Sequence, residues 1–232
     1  MNKQKLGFTW DYQVPLLAPK GLERACFRLQ KLFPEYIFNT VYLEDNPFTF
    51  PEVQTLLEGI TVGGHKLEDQ QQVLNQSKSI KQLLTLVKKK RFALDKSTYC
   101  QLHSLVAFEE ALEWGVFRSG EVSIAGTLYK PPLANQLDAI FNQGIEYLNS
   151  IANPLERAIA MFLFGSLNQF FYDGNKRTSR LMMNGILLSN GFDAINVPAK
   201  KKLEFNQSMI AFYDTQQADK MMDFMVNCFY ND

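Results

Sequence analysis

The chain has 232 residues and only two histidines, His65 and His103, so any step that needs an imidazole must use one of them. Its three cysteines, Cys26, Cys100 and Cys228, are odd in number and far apart. That argues against a disulfide framework and fits a reducing compartment, the cytoplasm. A charge excess is also missing: 24 Lys+Arg balance 24 Asp+Glu, which gives no support for a global nucleic-acid binder. The most apolar stretch, 158–167, is too short for a bilayer of ~30 Å, so no membrane span is expected. The first ten residues, MNKQKLGFTW, hold no apolar h-region, and no secretory leader is expected. There is no internal repeat, low-complexity tract or long linker. What the chain does have is 46% apolar residues and 19 phenylalanines, enough for a core built on large rings.

Helical periodicity dominates. It predicts helices over 21–33, 68–87, 96–114 and 133–149. Thr49-Phe50-Pro51-Glu52 has the form of a capping box and opens a helix that stops at Gly59. The run Lys88-Lys89-Lys90-Arg91 reads as a helix C-terminus favoured by the macrodipole, with a phosphate patch as the lesser reading. Asn153-Pro154-Leu155-Glu156 starts a helix that is apolar almost all round, which places it centrally. Further helices run from Arg177 to Asn190, stopping at Gly191, and from Leu203 to the C-terminus. Between helices, 118–132 carries two glycines, a β-branched run and two prolines, the pattern of a long loop or small hairpin. The fold class expected is all-α with one β-like excursion. The organisation expected is an N-terminal helical region, 1–95, and a core, 96–232.

Chemistry concentrates in QFFYDGNKRTSR, residues 169–180. Asp173-Gly174-Asn175 is a tight turn in which Gly174 can take φ > 0. The helix that follows offers free N–H groups and a positive dipole end to an anion. Arg177 and Arg180 lie i, i+3 on one face. Asp173 suits a divalent cation beside phosphates. Two readings stay open on these residues alone: a phosphate site, or a solvated helix start with two surface arginines.

The segment resembles the signature of Fic (Fido) domain proteins, H-x-F-x-D/E-G-N-G/K-R-x-x-R. Phe171, Asp173, Gly174, Asn175, Lys176, Arg177 and Arg180 match it. The stretches 114–132, 152–170 and 177–192 are similar to the flap and the two helices around that loop in the family. The resemblance implies a Fic-type helical bundle with a small β-hairpin flap. It also implies transfer of AMP from ATP, with Mg²⁺, to a Ser, Thr or Tyr hydroxyl of a target protein. Asp173 would be the metal ligand; Gly174, Asn175, Lys176, Arg177 and Arg180 would hold the phosphates, and Asp173 and Arg177 would serve catalysis. Leu128 and Tyr129 fall where the flap clamps a target by backbone pairing. Phe205 and Asn206 fall near positions that face the nucleobase. Upstream, Thr40-Val-Tyr-Leu-Glu44 resembles the inhibitory motif S/T-x-x-x-E-G/N, whose glutamate pairs with the second motif arginine, here Arg180, and displaces the γ-phosphate. Relatives often regulate by self-association, so a homo-oligomer is a further expectation.

Two departures stand out. Gln169 occupies the position of the motif histidine, the general base, and Phe170 replaces the usual proline. Glutamine takes no proton near neutral pH, and loss of a general base costs roughly 10²–10⁴-fold. Asp45, not Gly or Asn, follows Glu44. His65 lies in a Gly-Gly-His turn and His103 on an apolar-rich helix, so neither reads as a replacement. Three functions remain: a weakened, autoinhibited transferase, a pseudoenzyme that binds a nucleotide or phosphate, and an interaction scaffold. The retained anion-binding residues favour the first two, with the transferase preferred.

Overall fold

The computed structural model describes residues 3–230, with side chains from Lys5 to Tyr230. A 3-10 turn at Lys3–Leu6 precedes α1 (Leu22–Lys31) and α2 (Phe33–Tyr42). α3 (Phe50–Leu57) opens on the capping box, with Thr49 N–H donating to Glu52 Oε2 at 2.7 Å. α4 (Leu67–Lys88) buries Val73, Ile80, Leu83 and Leu84 and ends in the lysine run. Then come α5 (Lys96–Val106), α6 (Leu137–Ser150), α7 (Pro154–Asn168), α8 (Asn175–Ser189), α9 (Lys202–Thr215) and α10 (Asp219–Tyr230). Asn153 Oδ1 caps α7 by accepting from Leu155 N–H, and Gly191, at φ 76, terminates α8.

α7 is buried along nearly all of its length, as an all-round apolar helix must be. It meets α8 and α5 at Gly165, where an added Cβ would lie 2.1 Å from Ser179 Oγ and 2.5 Å from Tyr99 Oη. The rings of Tyr99, Phe117, Phe141, Phe164, Phe170 and Phe171 stack and edge against one another beneath the 169–174 loop. These phenylalanines are where the aromatic content is spent. Among the described residues no helix is long and apolar enough to cross a membrane.

Four expectations need correction. The helix expected over 21–33 ends at Lys31, and a new one starts at Phe33 with Pro34 in its first turn. The helix expected over 96–114 ends at Val106, because tertiary contacts outbid it: His103 Nδ1 accepts Gly115 N–H at 2.9 Å, and Asn75 Nδ2 donates to Phe108 O at 2.8 Å. The C-terminal helix is two helices, broken at Gln216 with φ 53. There the N-terminal arm docks, through Thr9 N–H to Gln216 O and Ala218 N–H to Thr9 O, and buries Phe8 and Trp10. Finally, the β-hairpin is not formed: residues 118–132 are irregular, and no strand occurs among the described residues. Pro131 and Pro132 lack N–H groups. The carbonyls of Gly120 and Pro132 accept from the Arg118 guanidinium, at 2.6 and 2.5 Å, rather than from an opposing strand. An isolated two-stranded ribbon is marginal in any case.

Candidate active site

The six residues between α7 and α8 are held from below by buried side chains. Gln169 ends α7 in the left-handed region at φ 48, and Arg118 Nε donates to its carbonyl at 2.6 Å. Asn175, 4% exposed, accepts from Phe171 N–H at 2.9 Å and donates to Phe171 O at 2.8 Å and to Gln169 Oε1 at 3.0 Å. His103 lies flat on Phe171, 3.6 Å between ring centres. Its Nδ1 accepts Gly115 N–H, so Nε2 carries the proton and donates to Asp173 O at 2.9 Å. Burial lowers its pKa to about 4, which keeps it neutral. His103 is therefore a satisfied structural histidine, as expected. His65 also stays away from the loop, stacked on Phe48 and 3.1 Å from Glu52.

Gly174 takes φ 71, and an added Cβ would meet Val106 and Ala107 at 3.3 Å, so the turn needs glycine twice over. It aims the α8 N-terminus at a cleft of about 410 Å³. Gln169, Asp173, Gly174, Asn175, Lys176 and Arg177 form one wall. Glu44 stands at the side, and α9 contributes Asn206, Met209, Ile210 and Tyr213. Ser123, Ile124 and Ala125 of the 118–132 loop close the remaining edge.

The charges pair tightly. Glu44, just past α2, binds Arg180 Nη2 through Oε1 and Lys176 Nζ through Oε2, both at 3.0 Å. Burial pushes the Glu44 carboxyl up, but Lys176, Arg180 and Arg177 outweigh it and hold the pKa at about 2. Stability gained from that ionised carboxylate is present above the ordinary carboxylate range and is lost only as pH falls toward 2. Asp45 takes φ 63, the left-handed geometry that Gly and Asn favour and Asp tolerates, which accounts for the departure after Glu44. Lys202 Nζ fixes the same corner through Tyr42 O at 2.7 Å and Asp45 Oδ1 at 2.6 Å. Arg177 pairs elsewhere, with Glu110 Oε2 at 2.8 Å, and lies 3.9 Å from Asp173 Oδ1. Both arginines are buried, 3% and 5% exposed, so the solvated helix start is excluded.

Several expected residues stand apart from this cleft. Arg180 lines a separate cavity of about 20 Å³ together with Thr40, Gln76 and Asn196. Leu128 is 96% exposed, and Tyr129 touches the cleft only through its stack on Tyr213. Phe205 is buried under the Arg180 guanidinium, 5.8 Å away, and faces no cleft, whereas its neighbour Asn206 lines it. Sequence reasoning missed Glu110 and Arg118. The one available signal was general: a buried arginine requires a carboxylate or a set of carbonyls.

Comparison with known proteins bears on this geometry. The Fic/DOC family matches residues 93–187, which span α5, the 118–132 loop and most of the α7–α8 pair. Over these residues the chain is similar to Fic proteins. Protein adenylyltransferase Fic of Drosophila ananassae is 26% identical over 179 residues, covering 74% of this chain and 35% of that protein. This chain thus spans about a third of the length of such curated relatives. Among solved structures, Fic-1 from C. elegans superposes with a TM-score of 0.77 at 20% identity, over 93% of this chain and 64% of that one. IbpAFic2, covalently tethered to Cdc42, superposes with a TM-score of 0.58 at 12% identity, over 94% of this chain and 66% of that one. Within the matched residues, Gly174, Asn175, Lys176 and Arg177 line the cleft together with Gln169.

Proposed function

We propose that this chain is a Fic-type protein adenylyltransferase, restrained by Glu44 and slowed by Gln169. The observation that carries this reading is the Glu44 clasp: a cationic helix N-terminus faces a cleft, and its strongest donors are occupied by one internal carboxylate. Such a carboxylate is what an incoming triphosphate would displace. The phosphates of ATP suit the first-turn N–H groups of α8, Lys176 and Arg177. Asp173 fits a metal: its carboxylate is 62% exposed at the cleft, and Mg²⁺ is commonly held by one carboxylate plus substrate phosphates. When bound, Mg²⁺ supplies charge neutralisation of the phosphates. The relatives named as adenylyltransferases, and the neighbour tethered to Cdc42, support a nucleotide and a protein target.

In the reaction, the target hydroxyl oxygen forms a bond to the α-phosphorus. The bond from that phosphorus to the β-phosphate oxygen breaks, and pyrophosphate leaves. The hydroxyl proton passes to solvent water, since Gln169 takes none. Its Nε2 donates to Ser166 O at 2.6 Å and its Oε1 accepts from Asn175, so the amide serves the loop. That favours a second reading, a nucleotide-binding pseudoenzyme. The scattered cysteines point to the cytoplasm as the place of action.

Label transfer from α-phosphate-labelled ATP, with Mg²⁺ and host lysate, separates the two readings. Glu44→Gly is expected to label a protein band slowly. Glu44→Gly with Gln169→His is expected to label it roughly 10²–10⁴-fold faster, since a base is restored. No band from either variant, with ATP still bound, would establish the pseudoenzyme.

A further inference from the structure

α4 lies outside the residues that the family matches, yet one of its faces is built for the arginines. Gln72, Asn75 and Gln76 stand at i, i+3, i+4 and form an amide stripe. Asn75 is 0% and Gln76 2% exposed. A buried amide left unpaired loses its bonds to water for nothing, so this burial demands polar partners.

The partners lead to the Fic loop. Gln71 Nε2 orients Asn75 by donating to its Oδ1 at 2.7 Å. Asn75 Nδ2 then donates to Glu110 Oε1 at 2.8 Å, and Gln72 Nε2 to Glu110 Oε2 at 3.1 Å. Glu110 holds Arg177 at 2.8 Å. On the other side, Gln72 Oε1 accepts from Asn46 Nδ2 at 3.0 Å, and Asn46 also donates to Asp69 O at 2.9 Å. The segment that carries Glu44 is thereby docked on the same stripe.

Gln76 serves the second arginine. Gln76 Oε1, Asn196 Nδ2 and Arg180 Nε and Nη1 are all buried without a protein partner, and all three residues line the cavity of about 20 Å³. A water needs roughly 10–15 Å³ and two to four polar partners. A water in this cavity would accept from Arg180 and Asn196 and donate to Gln76.

We propose that the amide stripe of α4 positions both arginines of the Fic loop, Arg177 through Glu110 and Arg180 through an ordered water shared with Gln76 and Asn196. Glu110, Gln72, Asn75 and Gln76 are positioning residues. The N-terminal region does more than restrain the site; it builds the back wall of it.

The test is NMR of the arginine Nε–Hε signals in the full chain, assigned with Arg177→Lys and Arg180→Lys. Glu110→Gln, which keeps side-chain shape and leaves the Asn46 contact intact, is expected to speed solvent exchange of the Arg177 signal at least tenfold and leave Arg180 unmoved. Gln76→Met is expected to do the reverse. Gln72→Met is expected to repeat the faster Arg177 exchange and covers the case of a Glu110 variant that folds poorly. A merely structural role would move both signals together; that outcome, or two unmoved signals, overturns the proposal. A second arm rests on the nucleotide reading of the cleft: in a Glu44→Gly background, Gln72→Met is expected to weaken ATP binding about tenfold. If Glu44→Gly binds no ATP, the nucleotide reading fails, and the arginine signals still decide the stripe.

Discussion

The loop at 169–174 and the loop at 118–132 line the same cleft and are held in opposite ways. In the first, Phe170 and Phe171 are fully buried, and Asn175, Arg118 and His103 pin the backbone from below. In the second, Leu128 is 96% exposed, and the anchors are Arg118 at the ends and Thr127, bonded to Asp214, near the middle. The difference teaches where the shape of the cleft is fixed. The shape of the first loop is set by buried groups, and the Gln169 amide joins them through Ser166 O and Asn175. The second loop carries few internal bonds, the mark of a segment of low local stability.

The sharpest way to break this contrast is Arg118→Met. It removes the donor shared by both loops and orphans the carbonyls of Gln169, Gly120 and Pro132. Urea unfolding is expected to record a loss of about 3–5 kcal/mol. A loss under ~1 kcal/mol would mean that the loops are not tied through this residue. His103 gives a smaller, pH-dependent effect. Its pKa of about 4 in the fold lies below its ordinary 6.5, so the unfolded chain binds the proton first. Stability should be full above pH 6.5 and fall progressively toward pH 4. His103→Gln should flatten that slope in unfolding measured across the same range, and an unchanged slope would remove His103 as its source. Leu128→Ala marks the small end of the scale: at 96% exposure it should shift stability by less than ~0.5 kcal/mol.

Much of this was legible in the sequence where the signals are local. Thr49 with Glu52, Asn153 with Pro154, and Gly191 state the helix ends in side-chain chemistry, and the structure follows them. The motif stretch, its turn and the contact of Glu44 with Arg180 were legible through resemblance and charge. The break before Pro34 and the prolines of the 118–132 loop are local signals; the other failures are long-range. Nothing near Ala107 says that α5 must stop, because Gly115 and Asn75 stop it. Nothing near Gln216 says that a helix must break, because the arm at Thr9 breaks it. Glu110 looked like one more polar residue of a helix until Arg177 was seen beside it.

The central proposal is that Glu44 occupies the place of a nucleotide phosphate. Titration calorimetry with ATP and Mg²⁺ tests it most directly, on the unaltered chain, Glu44→Gly, and Glu44→Gly with Arg180→Ala. The account predicts at least tenfold tighter binding in Glu44→Gly, with most of the gain lost when Arg180 is also removed. Equal affinity in the unaltered chain and Glu44→Gly would contradict it.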